Sequence, residues 1–210
     1  MSNPEVWHRS VISASTEETL CVLQEASLLE DFYLAGGTAL ALWWGHRVSL
    51  DLDFFCNEHF NEDALLQRAQ SLPGFALVQK APFTVHATIA ETKVSFLGYA
   101  YPMLFETATF AGVAVADPRD IACMKVSAIA SRGAKRDFVD LYFAARHYGL
   151  KEILRQFDRK YAQTRLSRLH ILKSLTYFSD AEKEPMPHLL ETTSWDKVKQ
   201  FFEQESLKLL

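Results

Sequence analysis

The feature that most constrains this chain is a pair of aspartates, Asp51 and Asp53, one residue apart in the run Val48-Ser49-Leu50-Asp51-Leu52-Asp53-Phe54. Apolar and polar residues alternate through it, the two-residue period of a half-buried strand. The alternation predicts Val48, Leu50, Leu52 and Phe54 on one face and Ser49, Asp51 and Asp53 on the other. Residues i and i+2 of a strand lie about 6–7 Å apart on one side. Two like charges there repel, and aspartate is a poor strand former, so the pair calls for a compensating charge. Carboxylates at this spacing suit one or two hard divalent cations, such as Mg²⁺ or Mn²⁺. The plainer alternative is that both face water on an edge strand.

A second feature lies about a dozen residues earlier. Phe32-Tyr33-Leu34-Ala35 is a short strand-like run that breaks at Gly36-Gly37, and a helix is expected from Thr38 through Trp44 to a stop at Gly45. Glycines at a helix start let backbone approach a ligand closely, and the first-turn N–H groups favour anions, phosphate above all. Taken alone, a Gly-Gly pair is equally a tight turn. Together with the Asp51/Asp53 strand it suggests a triphosphate site. Gly36, Gly37 and Thr38 would hold the β- and γ-phosphates, Asp51 and Asp53 a metal at the α-phosphate, and Arg47 and Ser49 further phosphate contacts.

Elsewhere the pattern is that of a mixed sheet covered by helices. Ser15-Thr16-Glu17-Glu18 has the form of a capping box for a first helix, and Asn61-Glu62-Asp63 starts another that ends before Pro73-Gly74. Phe75–Gln79, Val85–Ile89 and Lys93–Tyr99 are expected strands. A helix follows Asp117-Pro118-Arg119-Asp120, from Ile121 to about Ser131, and after Gly133 the chain is mostly helical. This predicts a core over residues 1–120 and a helical C-terminal region over residues 121–210.

A hydrophobic fraction of 49% supplies ample core, and the three cysteines form neither a disulfide framework nor a zinc pattern, which fits a reducing cytoplasm. No run is long and apolar enough for a membrane span, so no membrane partner is expected. The seven histidines show no zinc-ligand spacing. Net charge is −4, yet Lys125 to Lys173 carries twelve Lys/Arg against four Asp/Glu. Segment 125–173 could therefore guide a polyanion, or simply be a solvated surface.

The run Gly36-Gly37-Thr38-Ala39-Leu40 followed by Arg47-Val48-Ser49-Leu50-Asp51-Leu52-Asp53-Phe54 resembles the signature of the AbiEii/AbiGii abortive-infection nucleotidyltransferase toxins. A second matching block is Asp120-Ile121-Ala122-Cys123-Met124-Lys125 with Arg132-Gly133-Ala134-Lys135-Arg136-Asp137-Phe138-Val139-Asp140-Leu141. The resemblance spans about residues 30–145. It implies an α+β, polymerase-β-like nucleotidyltransferase fold. The implied reaction moves a nucleoside monophosphate from NTP to an acceptor, RNA such as tRNA, in a toxin–antitoxin or phage-defence system with an antitoxin partner. It gives Asp51 and Asp53 the metal-ligand role, Lys125 an NTP-binding role and Asp137 an essential acidic role.

One position departs from the active enzymes of this wider fold, which carry a third carboxylate on a later strand. In Lys93-Val94-Ser95-Phe96-Leu97 the alternation puts Ser95 in that slot, and a serine hydroxyl is no base at neutral pH. Asp137 or Asp140 could supply the acid, with Glu91 a further candidate. Alternatively the aspartate pair suffices, or the chain is a non-catalytic nucleotide- or RNA-binding module of the same fold.

Overall fold

Helix α1 (Ala14–Glu25) begins earlier than the expected capping box: the Ser13 side chain, not Ser15, accepts from the Thr16 N–H at 3.1 Å. Ser13 has extended backbone and can turn its hydroxyl onto the first turn, whereas Ser15 is already helical. The computed structural model describes residues 6–57, 59–164 and 167–209. The chain divides into two units, Met1–Asp117 and Pro118–Leu210.

The first unit is built on a seven-stranded sheet, with β1 (Tyr33–Ala35), β2 (Leu52–Cys56), β3 (Phe75–Ala81), β4 (Thr84–Ile89), β5 (Thr92–Gly98), β6 (Ala108–Phe110) and β7 (Val113–Val115) in the order β3-β4-β5-β2-β1-β7-β6. β2 pairs antiparallel with β1 and parallel with β5, and β1 pairs parallel with β7, so the sheet is mixed. The helices of this unit are α1, α2 (Gly36–Trp44) and α3 (Glu62–Ala69). One sheet face carries the core: Leu34, Leu52, Phe54, Val94, Phe96, Val85 and Ala87 are all buried. Phe54 stacks on Phe96 at 5.6 Å and Phe32 meets Phe96 edge-on at 5.2 Å.

Two expectations are corrected. The β6–β7 hairpin was not foreseen; its strands have three residues each, too few to show a period, and its turn rests on positive φ at Ala111 and Gly112. The alternation expected from Val48 begins only at Leu52. Leu50 is 53% exposed, while Ser49 is buried. The cause is tethering: the Ser49 N–H bonds the Val11 carbonyl at 2.9 Å, which holds this stretch outside the sheet ladder.

The second unit is helical, with α4 (Pro118–Ser131), α5 (Lys135–Tyr148), α6 (Leu150–Lys160), α7 (Arg168–Ser174) and α8 (Trp195–Leu207). Helix α4 starts at Pro118, where the ring fixes φ and the missing N–H costs nothing. Its core includes an aromatic cluster in which Phe138 lies 5.2 Å from Phe178, 5.8 Å from Trp195 and 5.6 Å from Phe202. The unit also buries charge. Lys160 Nζ sits 2.7 Å from Asp120 Oδ1, both side chains fully out of solvent. Cys123 lies beside them, and burial, reinforced by Asp120, pushes its thiol up to about 12. Among the described residues no helix is long and apolar enough to cross a membrane.

Two outcomes follow from these burials. Asp120→Ala strips a buried ammonium of this carboxylate and should cost about 3–5 kcal/mol in denaturant unfolding, whereas replacing both partners by methionine should cost far less. Of the three thiols, exposed Cys21 should react rapidly with a thiol reagent on the native protein, and buried Cys56 and Cys123 only on unfolding.

Candidate active site

The register of five strands assembles a largely polar row on the sheet face opposite the apolar core. Ala35 pairs with Asp53, Asp53 with Ser95, Ser95 with His86, and His86 with Gln79. Paired residues of neighbouring strands point to the same face about 4.8 Å apart, so Asp53 lies between Ala35 and Ser95. Asp51 immediately precedes β2, at the mouth of the same strand.

Gly36 follows Ala35 directly and opens α2. Its φ is +72°, and a Cβ placed there would lie 3.0 Å from Asp53 Oδ2. The backbone thus turns into the helix within contact distance of the carboxylate, which only glycine permits without strain. The residue before α2 is Ala35, whose side chain makes no capping bond, and the first turn of the helix begins next to Asp53. The helix ends at Gly45, which takes the left-handed conformation expected of a stop.

Thr38, Ser49 and Arg47 are all buried. Thr38 Oγ1 bonds Ser49 Oγ at 2.8 Å and also the Asp51 carbonyl. Within the protein this hydroxyl braces the segment carrying Asp51 against α2. Arg47 directs Nη1 to the Val48 carbonyl at 3.0 Å. Gly36, Gly37, Thr38, Arg47, Ser49, Asp51 and Asp53 therefore belong to one unit, and the α2 start and the Asp53 carboxylate adjoin.

Oxygen donors of this kind suit a small hard cation. Mg²⁺ is bound through one or two carboxylates together with waters and substrate phosphates, which suits the Asp53 carboxylate beside an anion-favouring helix start, with Asp51 two residues before it. Among the described residues no group of three or more His, Cys, Asp or Glu side chains gathers as a complete metal cage. Asp51 and Asp53 fit the open kind of site.

In the second unit, Lys125 and Asp137, expected from the sequence to serve NTP binding and an acidic role, form an ion pair with each other. Lys125 Nζ lies 2.8 Å from Asp137 Oδ1 and 2.7 Å from Asp140 Oδ2, with both carboxylates fully buried. Arg132, half exposed, closes on Asp137 with Nε 2.8 Å from Oδ2 and Nη2 3.1 Å from Oδ1. Burial by itself raises the Asp137 pKa; Lys125 and Arg132 outweigh it, and the carboxyl is held below its ordinary value. The basic segment is less uniform than its composition suggests. Lys125, Lys135 and Lys160 are buried, and Arg146, Arg155 and Arg168 pair with Glu191, Glu152 and Asp158. Arg136, Lys151, Arg159 and Lys173 are exposed, and Arg165 lies outside the described residues.

His86 was missed by sequence reasoning. It lies on the same row as Ser95, and its Nδ1 is 3.1 Å from Ser95 Oγ. Nothing in a lone histidine on a third strand announces this; the alternation of Val85, Ala87 and Ile89 could place His86 on the polar face, but only strand pairing puts it beside Ser95.

Comparison with known proteins agrees with this architecture. The chain matches the family described as nucleotidyl transferase AbiEii toxin, type IV toxin–antitoxin system, over residues 19–103 and 96–208. It is 37% identical over 194 residues to an uncharacterized protein of Aquifex aeolicus, covering 90% of this chain and 92% of that one. Among solved structures it resembles the nucleotidyltransferase toxin MenT4 from Mycobacterium tuberculosis, with a TM-score of 0.57, 15% identity, and coverage of 94% of this chain and 86% of that one. JHP933 from Helicobacter pylori gives a TM-score of 0.52 at 20% identity, covering 94% and 93%. The structural likenesses show the nucleotidyltransferase fold.

The geometry makes two checks available. Gly36→Ala introduces strain at positive φ and crowds Asp53; it should lower stability by about 1–2 kcal/mol and reduce any NTP-dependent activity by more than tenfold, read by melting and by turnover. Because Asp137 has a depressed folded-state pKa, its contribution to stability should be fully present above about pH 4 and be lost as pH falls through the folded value. Asp137→Asn should flatten that acid limb in pH-dependent unfolding.

Proposed function

Because the chain belongs to the AbiEii nucleotidyltransferase toxin family, we propose that it transfers a nucleoside monophosphate from NTP to an acceptor hydroxyl on RNA, tRNA being the leading candidate. The observation that carries this reading is the junction of the α2 start with Asp53: an anion-favouring N-terminus and a carboxylate adjoin across a glycine where a side chain would be strained and would crowd the carboxylate. Gly36 and Gly37 offer their backbone to the triphosphate. Thr38, through Ser49 and the Asp51 carbonyl, keeps Asp51 beside β2. Arg47 and Ser49 line the same segment as further candidates for phosphate contact. Asp51 and Asp53 would hold Mg²⁺ or Mn²⁺, which when bound offsets charge on the phosphoryl group and on departing pyrophosphate.

The family pattern gives Lys125 an NTP-binding role and Asp137 an acidic role, and both are retained in this reading. Asp137 holds the Lys125 ammonium in place, so loss of either alters the other. The exposed cations Arg136, Lys151, Arg159 and Lys173 support a polyanionic acceptor. The chain would act in the cytoplasm as a toxin restrained by an antitoxin.

A second reading, a non-catalytic nucleotide- or RNA-binding module, is favoured by one observation: Ser95 pairs with Asp53 where active relatives of the wider fold place a carboxylate. Incubation with each labelled NTP, Mg²⁺ and total RNA, comparing the natural chain with Asp53→Asn, separates the two. Label in RNA from the natural chain, at background in the variant, is the expected result. Retained NTP binding with no label from any nucleotide would select the binding module.

A further inference from the structure

We propose that Ser95 and His86 form a proton relay on the acceptor side of Asp53, taking the place of the third carboxylate. The inference rests on the transferase reading above and identifies the groups that activate the acceptor.

Three observations lead to it. First, the site has two distinct sides. The start of α2 flanks Asp53 from β1, where a Cβ at Gly36 would lie 3.0 Å from Asp53 Oδ2. A triphosphate held there puts the leaving pyrophosphate on the β1 side. Phosphoryl transfer proceeds with attacking and leaving oxygens roughly in line, so the acceptor hydroxyl must enter from the opposite side, that of β5. Second, the residue paired with Asp53 on β5 is Ser95, about one strand spacing away. Third, Ser95 is joined to an imidazole: His86 Nδ1 lies 3.1 Å from its Oγ, and the two residues are direct register partners. Neither is sealed in the core; both are half-buried on the polar face, so a substrate hydroxyl can reach Ser95. On its far side His86 meets Gln79 of β3, an uncharged register partner that brings no competing carboxylate.

A serine hydroxyl alone cannot serve as the base, but one backed by imidazole can pass a proton on. With the proton on Nε2, Nδ1 accepts from Ser95 Oγ–H. As the acceptor oxygen forms its bond to the α-phosphorus, its proton moves to Ser95 Oγ while the serine proton moves to His86 Nδ1. The bond from the α-phosphorus to the bridging oxygen breaks, and pyrophosphate leaves with that electron pair. Ser95 ends as it began, and His86 ends as imidazolium, which returns its proton to solvent. Ser95 touches the reacting hydroxyl; His86 acts through it.

The test uses the full chain, Mg²⁺, the NTP and RNA of the transfer assay, and three variants. His86→Asn keeps a hydrogen-bond acceptor near the Nδ1 position but removes the base. Ser95→Ala removes the link. Ser95→Asp in the His86→Asn background installs a carboxylate next to Asp53. The relay predicts that His86→Asn and Ser95→Ala each lower kcat by about 10²-fold or more with little change in KM for NTP, and that the Ser95→Asp/His86→Asn double variant recovers most of the lost rate. An active natural chain with His86→Asn at full kcat overturns the relay and leaves the transferase reading standing. So does a loss confined to KM or to melting temperature, or a failure of the carboxylate to restore rate. A natural chain that binds NTP and transfers nothing overturns the transferase reading and the relay together.

Discussion

The candidate site depends on one pairing constraint: β2 runs antiparallel to β1 on one side and parallel to β5 on the other, with Asp53 in register with Ala35 and Ser95. Side chains of paired residues share a face, so this register gathers Gly36, Asp53, Ser95 and His86 from four separate stretches of chain. A slip of one residue would send Asp53 into the core and Phe54 into water. The apolar row of Leu34, Phe54, Phe96 and Val85 prevents that slip, because these rings and aliphatic groups can be buried together only in the observed register. Core packing on one face thus positions the chemistry on the other.

The segment before β2 shows a different economy. Residues 48–51 do not pair in the sheet; they are held by Val11 from one direction and by Thr38 from the other. The hydroxyl that sequence reasoning assigned to a phosphate is engaged in fixing the approach to Asp51. A fixed backbone there sets where the Asp51 side chain leaves the chain ahead of β2 and Asp53. In the helical unit the buried charges are arranged on the same principle. Lys125 answers Asp137 and Asp140, and Lys160 answers Asp120, so these desolvated charges meet opposite ones within hydrogen-bonding distance.

The fold class and the main elements were legible because their signals are local. The Gly45 stop, the Asn61 cap and the alternation within β4 and β5 each follow from a few adjacent residues. The β6–β7 hairpin was not legible, since strands of three residues carry no period and depend on β1 for pairing. The Val48–Asp51 stretch was misjudged because its alternation is genuine as sequence but is overruled by tethering to Val11 and α2. In the basic segment composition counts charges, whereas burial of Lys125, Lys135 and Lys160 is a tertiary outcome.

The sequence by itself determined the parts of the site: the Gly-Gly helix start, the Asp51/Asp53 pair, the serine where a carboxylate is usual, and the family to which these belong. Each is a matter of residue type at short spacing, which local sterics and hydrogen bonding govern. Only the tertiary structure decided which side of Asp53 each partner occupies and that His86 stands behind Ser95. Strand order and register fix both, and they are set by packing among residues tens of positions apart, which no local pattern encodes.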